Sequence, residues 1–332
     1  MDIERALSRF QKLRALFALW IVAGHCCMVM SAPGVVLRTM QRLDLVFVGF
    51  FLFLSGYGLE RSLETKENYL RGFLLKKPLR LFLLALVSVI FWKLMWFVYG
   101  FRPQLFSLSF LKEIFLEMMN WYIYEQIFFY LLFFILALLI KKKALRLVLL
   151  TAATVLAIEL LRRSELGWSY FYSALSFPLG VGLAMYRDRA EDFQLHHPRL
   201  SFVGLLGLAA LSCLCQPYDF RTAPAVYGRN LLCLCSCLLL TIVLMKLSDP
   251  PAVLGRSAVL SMGIYLYHQA AITAASLWLD RTESGKGYGF LLAVLLLTLL
   301  FALAEYGIRC VLPKRYSKRS FGGEKNEKKM GI

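Results

Sequence analysis

The sequence predicts an all-α polytopic integral membrane protein: a bundle of about ten transmembrane helices with both termini in the cytoplasm. Three observations carry this. Apolar runs of about 17–25 residues recur from end to end, the length a helix needs to cross the hydrocarbon layer. Hydrophobic residues make up 59% of the 332 residues and the mean hydropathy is +0.62, well above a soluble protein. With the N-terminus placed inside, Lys and Arg number 26 in the inner segments and 9 in the outer ones, the asymmetry that orients membrane proteins.

The expected spans lie near 13–32, 44–60, 79–99, 120–140, 145–161, 168–186, 200–216, 226–246, 257–279 and 288–311. The first is too long, and wrongly flanked, for a cleaved signal peptide. The net charge of +17 sits mainly in short loops between apolar runs, which assigns it to topology and not to nucleic-acid binding. No polar segment exceeds about 20 residues, too few for a separate extramembrane core. Residues 1–312 read as one membrane domain, and 313–332 as a basic cytoplasmic tail, disordered or lying on anionic headgroups.

Within the first span, Arg14 and His25 are eleven residues apart. At 100° per residue they project from one helical face, roughly 16 Å apart along the axis. With Arg14 at the membrane surface, His25 lies near the midplane, where an ionisable side chain is a functional-site hypothesis by default. His268 stands twelve residues in from Arg256 on the ninth span, at matching depth. Ser261, Tyr265 and His268 share a face. His196 and His197 fall in an inner loop and read as solvated.

The second span opens at Asp44, read as a helix cap, and closes on Phe50-Phe-Leu-Phe-Leu-Ser55-Gly56-Tyr57-Gly58, where small residues allow close packing or a backbone break. Arg71, Lys76, Lys77 and Arg80 cluster at the inner start of the third span. Positive-inside topology accounts for such residues, and with Arg14 on the same side they also suit an anion site. Lys93 is expected to snorkel outward. In the fourth span Trp121 and Tyr122 read as an interfacial belt and Glu125 as the acid to test first. Glu159 is read as paired with Arg162 and Arg163, and Glu305 with Arg309. Phe177-Pro178-Leu-Gly180-Val-Gly182 is expected to kink or loosen the sixth span. The eight cysteines read as small core hydrophobes, since Cys233, Cys235 and Cys237 at i, i+2 spacing point to different faces.

Taken together, these stretches over most of residues 9–280 resemble the membrane-bound acyltransferase 3 family, which includes bacterial O-acetyltransferases of surface polysaccharides. The residues that carry the resemblance are Arg14-x10-His25; Phe51-Leu-Phe-Leu-Ser55-Gly56-Tyr57; Tyr69 through Arg80 with Lys77-x-x-Arg80; Trp121-Tyr-Ile with Phe129-Tyr130; and Leu254-Gly255 with Ser261-Met-Gly-Ile-Tyr265-Leu-Tyr267-His268. Gly49 stands where many members carry an acid, with Asp44 one turn outward as a candidate substitute, and Lys77 stands in place of an arginine. A membrane part without the extracytoplasmic hydrolase-like domain of some members is expected.

The resemblance implies an acyl-CoA co-substrate, most often acetyl-CoA, with no metal, and a carbohydrate or glycolipid acceptor at the cell membrane. Arg14, Lys76, Lys77 and Arg80 would bind the donor's phosphates. His25 would act as general base or as transient acyl carrier, and His268 with Tyr265 would orient it or stabilise the oxyanion. The acceptor would pass Glu125. The alternative is a transporter or flippase of a lipid-linked sugar using the same midplane polar residues.

Overall fold

A computed structural model describes residues 2–98, 121–164, 172–214, 221–281 and 286–311. The outer segment at 100–119, the start of the sixth span, Cys215 and the basic tail lie outside the described residues. Among those described, all regular secondary structure is helical. In chain order the helices are α1 (Asp2–Cys27), α2 (Val35–Thr65), α3 (Phe73–Lys76), α4 (Pro78–Val98), α5 (Trp121–Leu139), α6 (Lys143–Arg163) and α7 (Ser176–Met185). There follow α8 (Arg187–His196), α9 (Pro198–Leu214), α10 (Ala223–Lys246), α11 (Ala252–Ser257), a 3₁₀ turn at Ala258–Leu260, α12 (Ser261–Arg281) and α13 (Tyr288–Val311).

By length and composition, six stretches suffice to cross a membrane: α2, Phe73–Phe97, α5, α6, α10 and Tyr288–Cys310. α7 and α9 are shorter apolar helices. α1 and α12, with 26 and 21 residues, are long enough at 1.5 Å per residue. Their polar residues, the histidines among them, keep them out of the six.

The breaks follow local chemistry. Pro33 and Gly34 separate α1 from α2. Gly72 sits at φ 72°, a left-handed turn, ahead of α3. Lys77 leaves the helical region directly before Pro78, as the residue preceding a proline must. The result is a one-turn step that sets Lys76 and Lys77 beside α4.

α1 is the central strut, packed against α2, α10 and α12. A run of rings joins it to α2: Phe10 lies 4.8 Å from Phe17 and 4.7 Å from Phe50, and Phe17 lies 4.8 Å from Phe47, measured between ring centroids. The backbones of α2 and α7 approach each other closely. A Cβ on Gly56 would run into the Phe177 carbonyl, and one on Gly180 into the Phe53 carbonyl. Small residues at both contact points are what permit this, as at other helix crossings in membranes. Gly56 is therefore a packing residue inside a continuous α2.

Connecting segments sort onto two ends. At one, Glu4 pairs with Arg61 (2.7 Å) and Arg187 (2.5 Å), Lys143 with Glu64 (2.5 Å), and Arg9 with Asp249 (2.8 Å). The Arg9 hydrogen bond, with Lys12 nearby, holds the exposed Asp249 carboxyl below the usual carboxylate range. Glu60 and Arg146 form a buried pair at 2.5 Å between α2 and α6. At the other end, the Ser31 N–H donates to the Lys286 carbonyl, and Arg162 and Arg221 donate to each other's segments. These are the same two sets into which the basic residues divide.

Four sequence expectations are corrected. Asp44 does not cap a helix, because α2 begins nine residues earlier, at Val35. Trp121 and Tyr122 are 8% and 6% exposed and sit in the core, not in an interfacial belt. Lys93 is buried, with its ammonium 4.6 Å from the Trp92 ring centroid, instead of snorkelling outward. Pro178 does not kink a long span; it lies in the first turn of the ten-residue α7, where a missing N–H costs nothing. The expected pairs Glu159–Arg162 (2.6 Å) and Glu305–Arg309 (2.6 Å) are present.

Candidate active site

Two features meet along α1. The first is a cavity of about 390 Å³ whose lining includes Arg14, Lys76, Lys77 and Arg80. All four residues expected to hold an anion are thus brought together, from α1, α3, α4 and the step between the last two. Arg309 of α13 also lines the cavity, a fifth cation that sequence reading assigned only to an ion pair. Glu305 holds it at 2.6 Å. Arg14 is fixed by a 2.8 Å hydrogen bond from its Nε to the Ala258 carbonyl, in the 3₁₀ turn that leads into α12.

Between the cations the cavity walls mix apolar side chains, Phe51, Leu54, Leu81 and Leu84 among them, with neutral polar ones. Tyr122, Gln126 and Tyr130 project from one face of α5 at i, i+4 and i+8. Ser55 joins them from α2, and Ser261 and Tyr265 from α12. The Gln126 amide donates to Ser55 Oγ at 2.7 Å and to the Tyr130 hydroxyl at 2.8 Å. The Tyr122 and Tyr265 rings meet edge to face at 5.1 Å.

The second feature is the pair of histidines. Neither lines the cavity, but Tyr265 does, and its ring lies 5.6 Å from that of His268. His25 Nδ1 and His268 Nε2 are 2.7 Å apart. His268 Nδ1 is 2.5 Å from the Tyr265 carbonyl oxygen, and a carbonyl only accepts. His268 therefore carries its proton on Nδ1, and its Nε2 accepts from the Nδ1–H of His25. The lone pair of His25 is left on Nε2. Gln269 Nε2 lies 3.4 Å from His25 Nδ1; with His25 protonated on Nδ1 both groups are donors, so this approach is not a hydrogen bond. His268 is 1% exposed, and both of its ring nitrogens are occupied, so it has no N–H left for a developing oxyanion. The arrangement suits an orienting role, like that of the third member of a catalytic triad.

On the Nε2 side of His25 stands Asp44. Its Oδ2 is 4.0 Å away, beyond hydrogen-bond range, and its Oδ1 accepts from the Leu45 N–H at 2.6 Å. A Cβ on Gly24 would sit 3.4 Å from the Asp44 Cβ, so the glycine lets α1 and α2 draw close there. Glu125 touches neither the cavity nor the histidines. It is 5% exposed, with no hydrogen-bond partner for either oxygen among the described residues. Cys233 of α10 lies within electrostatic reach of both Glu125 and Asp44. Gly49, at the position where the resemblance leads one to look for an acid, packs against Ser176 and Cys233. Among the described residues no cluster of His, Cys, Asp and Glu is arranged to hold a metal ion.

Sequence reading singled out Arg14, His25, Tyr265 and His268, because each pair is set by helical period within one element. It missed Arg309, Gln126 and Asp44's approach to His25, because those depend on which helices become neighbours. A sequence profile of the acyltransferase domain matches residues 10–307, nearly the whole chain. No curated protein and no solved structure matches it.

Proposed function

The chain belongs to the acyltransferase 3 family, and from that premise we propose that it moves an acetyl group from acetyl-CoA, bound at the cytoplasmic side of the cell membrane, to a hydroxyl of a surface or lipid-linked carbohydrate. One observation carries the reading. A hydrogen-bonded chain runs from the Tyr265 carbonyl through His268 to His25 and leaves the His25 Nε2 lone pair facing Asp44, and Tyr265 itself lines a cavity with five cations.

Arg14, Lys76, Lys77, Arg80 and Arg309 bind the donor's phosphates through charge-assisted hydrogen bonds. The acyl-thioester end approaches His25 past the Tyr122–Tyr265 pair. The acceptor hydroxyl comes from the Asp44 side and donates its proton to His25 Nε2 as its oxygen attacks the thioester carbon. The C–S bond breaks, and the imidazolium returns the proton to the leaving thiolate. His268 and the Tyr265 carbonyl hold the His25 ring in the tautomer this requires. Asp44 faces the imidazolium as it forms, which favours general-base catalysis over an acyl-imidazole carrier. Glu125 lies in the same region as Asp44, on the acceptor's path.

Donor binding is read by titrating the purified chain with acetyl-CoA. A charge-assisted contact is worth about 1.5–3 kcal/mol, so Lys77→Ala should weaken affinity roughly tenfold or more. Unchanged affinity contradicts the placement of the donor.

A further inference from the structure

Gln126 is 4% exposed, yet it lines the cavity. Its amide nitrogen spends both hydrogens, on Ser55 Oγ and the Tyr130 hydroxyl. Its Oε1 is buried and, among the described residues, has no hydrogen-bond partner. A buried acceptor left unpaired is costly, and Gln126 is braced on both sides, so it cannot turn away to find water. The vacancy suits an N–H donor arriving through the cavity. The phosphate-binding cations of the cavity contribute no acceptor for such a group, because Lys and Arg only donate. The cavity thus offers two chemistries: cations for an anionic end, and a neutral acceptor for an uncharged arm carrying amide N–H groups.

We propose that Gln126, braced by Ser55 and Tyr130, accepts a hydrogen bond from a secondary amide of the donor's pantetheine arm. This rests on the acyl-CoA reading above and adds the group that recognises the arm apart from the phosphates. Gln126 sets the arm's register, so that the thioester arrives at the Tyr122–Tyr265 pair.

The test compares two ligands on the purified full-length chain: acetyl-CoA, and adenosine 3′,5′-bisphosphate, which has phosphates but no pantetheine. Gln126→Leu should weaken acetyl-CoA binding about tenfold and leave the bisphosphate unchanged. Lys77→Ala should weaken both. Thermal unfolding confirms that each variant is folded, and Gln126→Met, an unbranched replacement, takes the place of Gln126→Leu if the latter is not. An unaltered acetyl-CoA affinity in a folded Gln126 variant, or equal loss for both ligands, overturns the assignment while leaving the donor reading standing. Failure of the unaltered protein to bind acetyl-CoA overturns both.

Discussion

A single backbone carbonyl sets the protonation order of the histidine pair. Tyr265 lies one helical turn before His268, so its carbonyl meets the His268 ring within the same helix. The order passes from there to His25 across the α1–α12 interface. In the proposed mechanism His268 is accordingly a positioning residue. His268→Gln should lower kcat about 10²-fold or more, in line with the usual contribution of general base catalysis, while KM for acetyl-CoA changes little. The pH–rate profile should shift as well, because the surviving His25 loses its partner; a variant that lost only packing would not move it. The residues that sequence reading found and those it missed separate on one physical line. Arg14 to His25 and Ser261 to His268 are spacings along a single helix, fixed by 3.6 residues per turn. Arg309, Gln126 and Asp44 gain their meaning from helix pairing, which no spacing encodes.

Helix boundaries and faces follow the same division. Pro33-Gly34, Gly72 and Pro78 mark their breaks in the sequence, and the structure breaks there. Asp44 was misplaced because Val35 to Leu43 continues helically ahead of it, and a carboxylate in mid-helix looks like a cap when its tertiary neighbour is unknown. Trp121 and Tyr122 were assigned to an interface by residue type, whereas the α5 face they occupy turns into the core. The α2–α7 crossing was legible only as a set of small residues. Its partner faces emerged with the fold: Gly56 against Phe177 and Gly180 against Phe53. Gly180→Leu forces these backbones apart. Overpacking of this kind costs about 1–3 kcal/mol, which a drop in the thermal midpoint of the detergent-solubilised protein measures. An unchanged midpoint would mean that the crossing gives way freely. Because α2 carries both Ser55 and Asp44, the same variant should also lose activity beyond its loss of stability.

Across the described residues, α1 joins a cation-lined cavity to the His25 imidazole, and the connecting segments divide into a basic end and an opposite one. The buried Glu60–Arg146 pair and the Glu4–Arg61–Arg187 cluster brace the basic end. This asymmetry suits the proposed reaction, which takes its donor from one side of a membrane and its acceptor from the other. Sequence patterning made the helical class and the division of the basic residues legible. The way α1 is clasped by α2, α10 and α12 was not, since apolar faces in a membrane carry little information about which neighbour they meet.

The account is tested most directly by transfer across a sealed membrane. The protein is reconstituted in proteoliposomes, radiolabelled acetyl-CoA is supplied at the face bearing Lys76, Lys77 and Arg80, and a surface-polysaccharide extract at the opposite face. The account predicts labelled, base-labile O-acetyl ester on the carbohydrate with the unaltered chain, and at least about a hundredfold less with His25→Ala. Full transfer by the His25→Ala protein would contradict it, as would carbohydrate that crosses the bilayer unmodified.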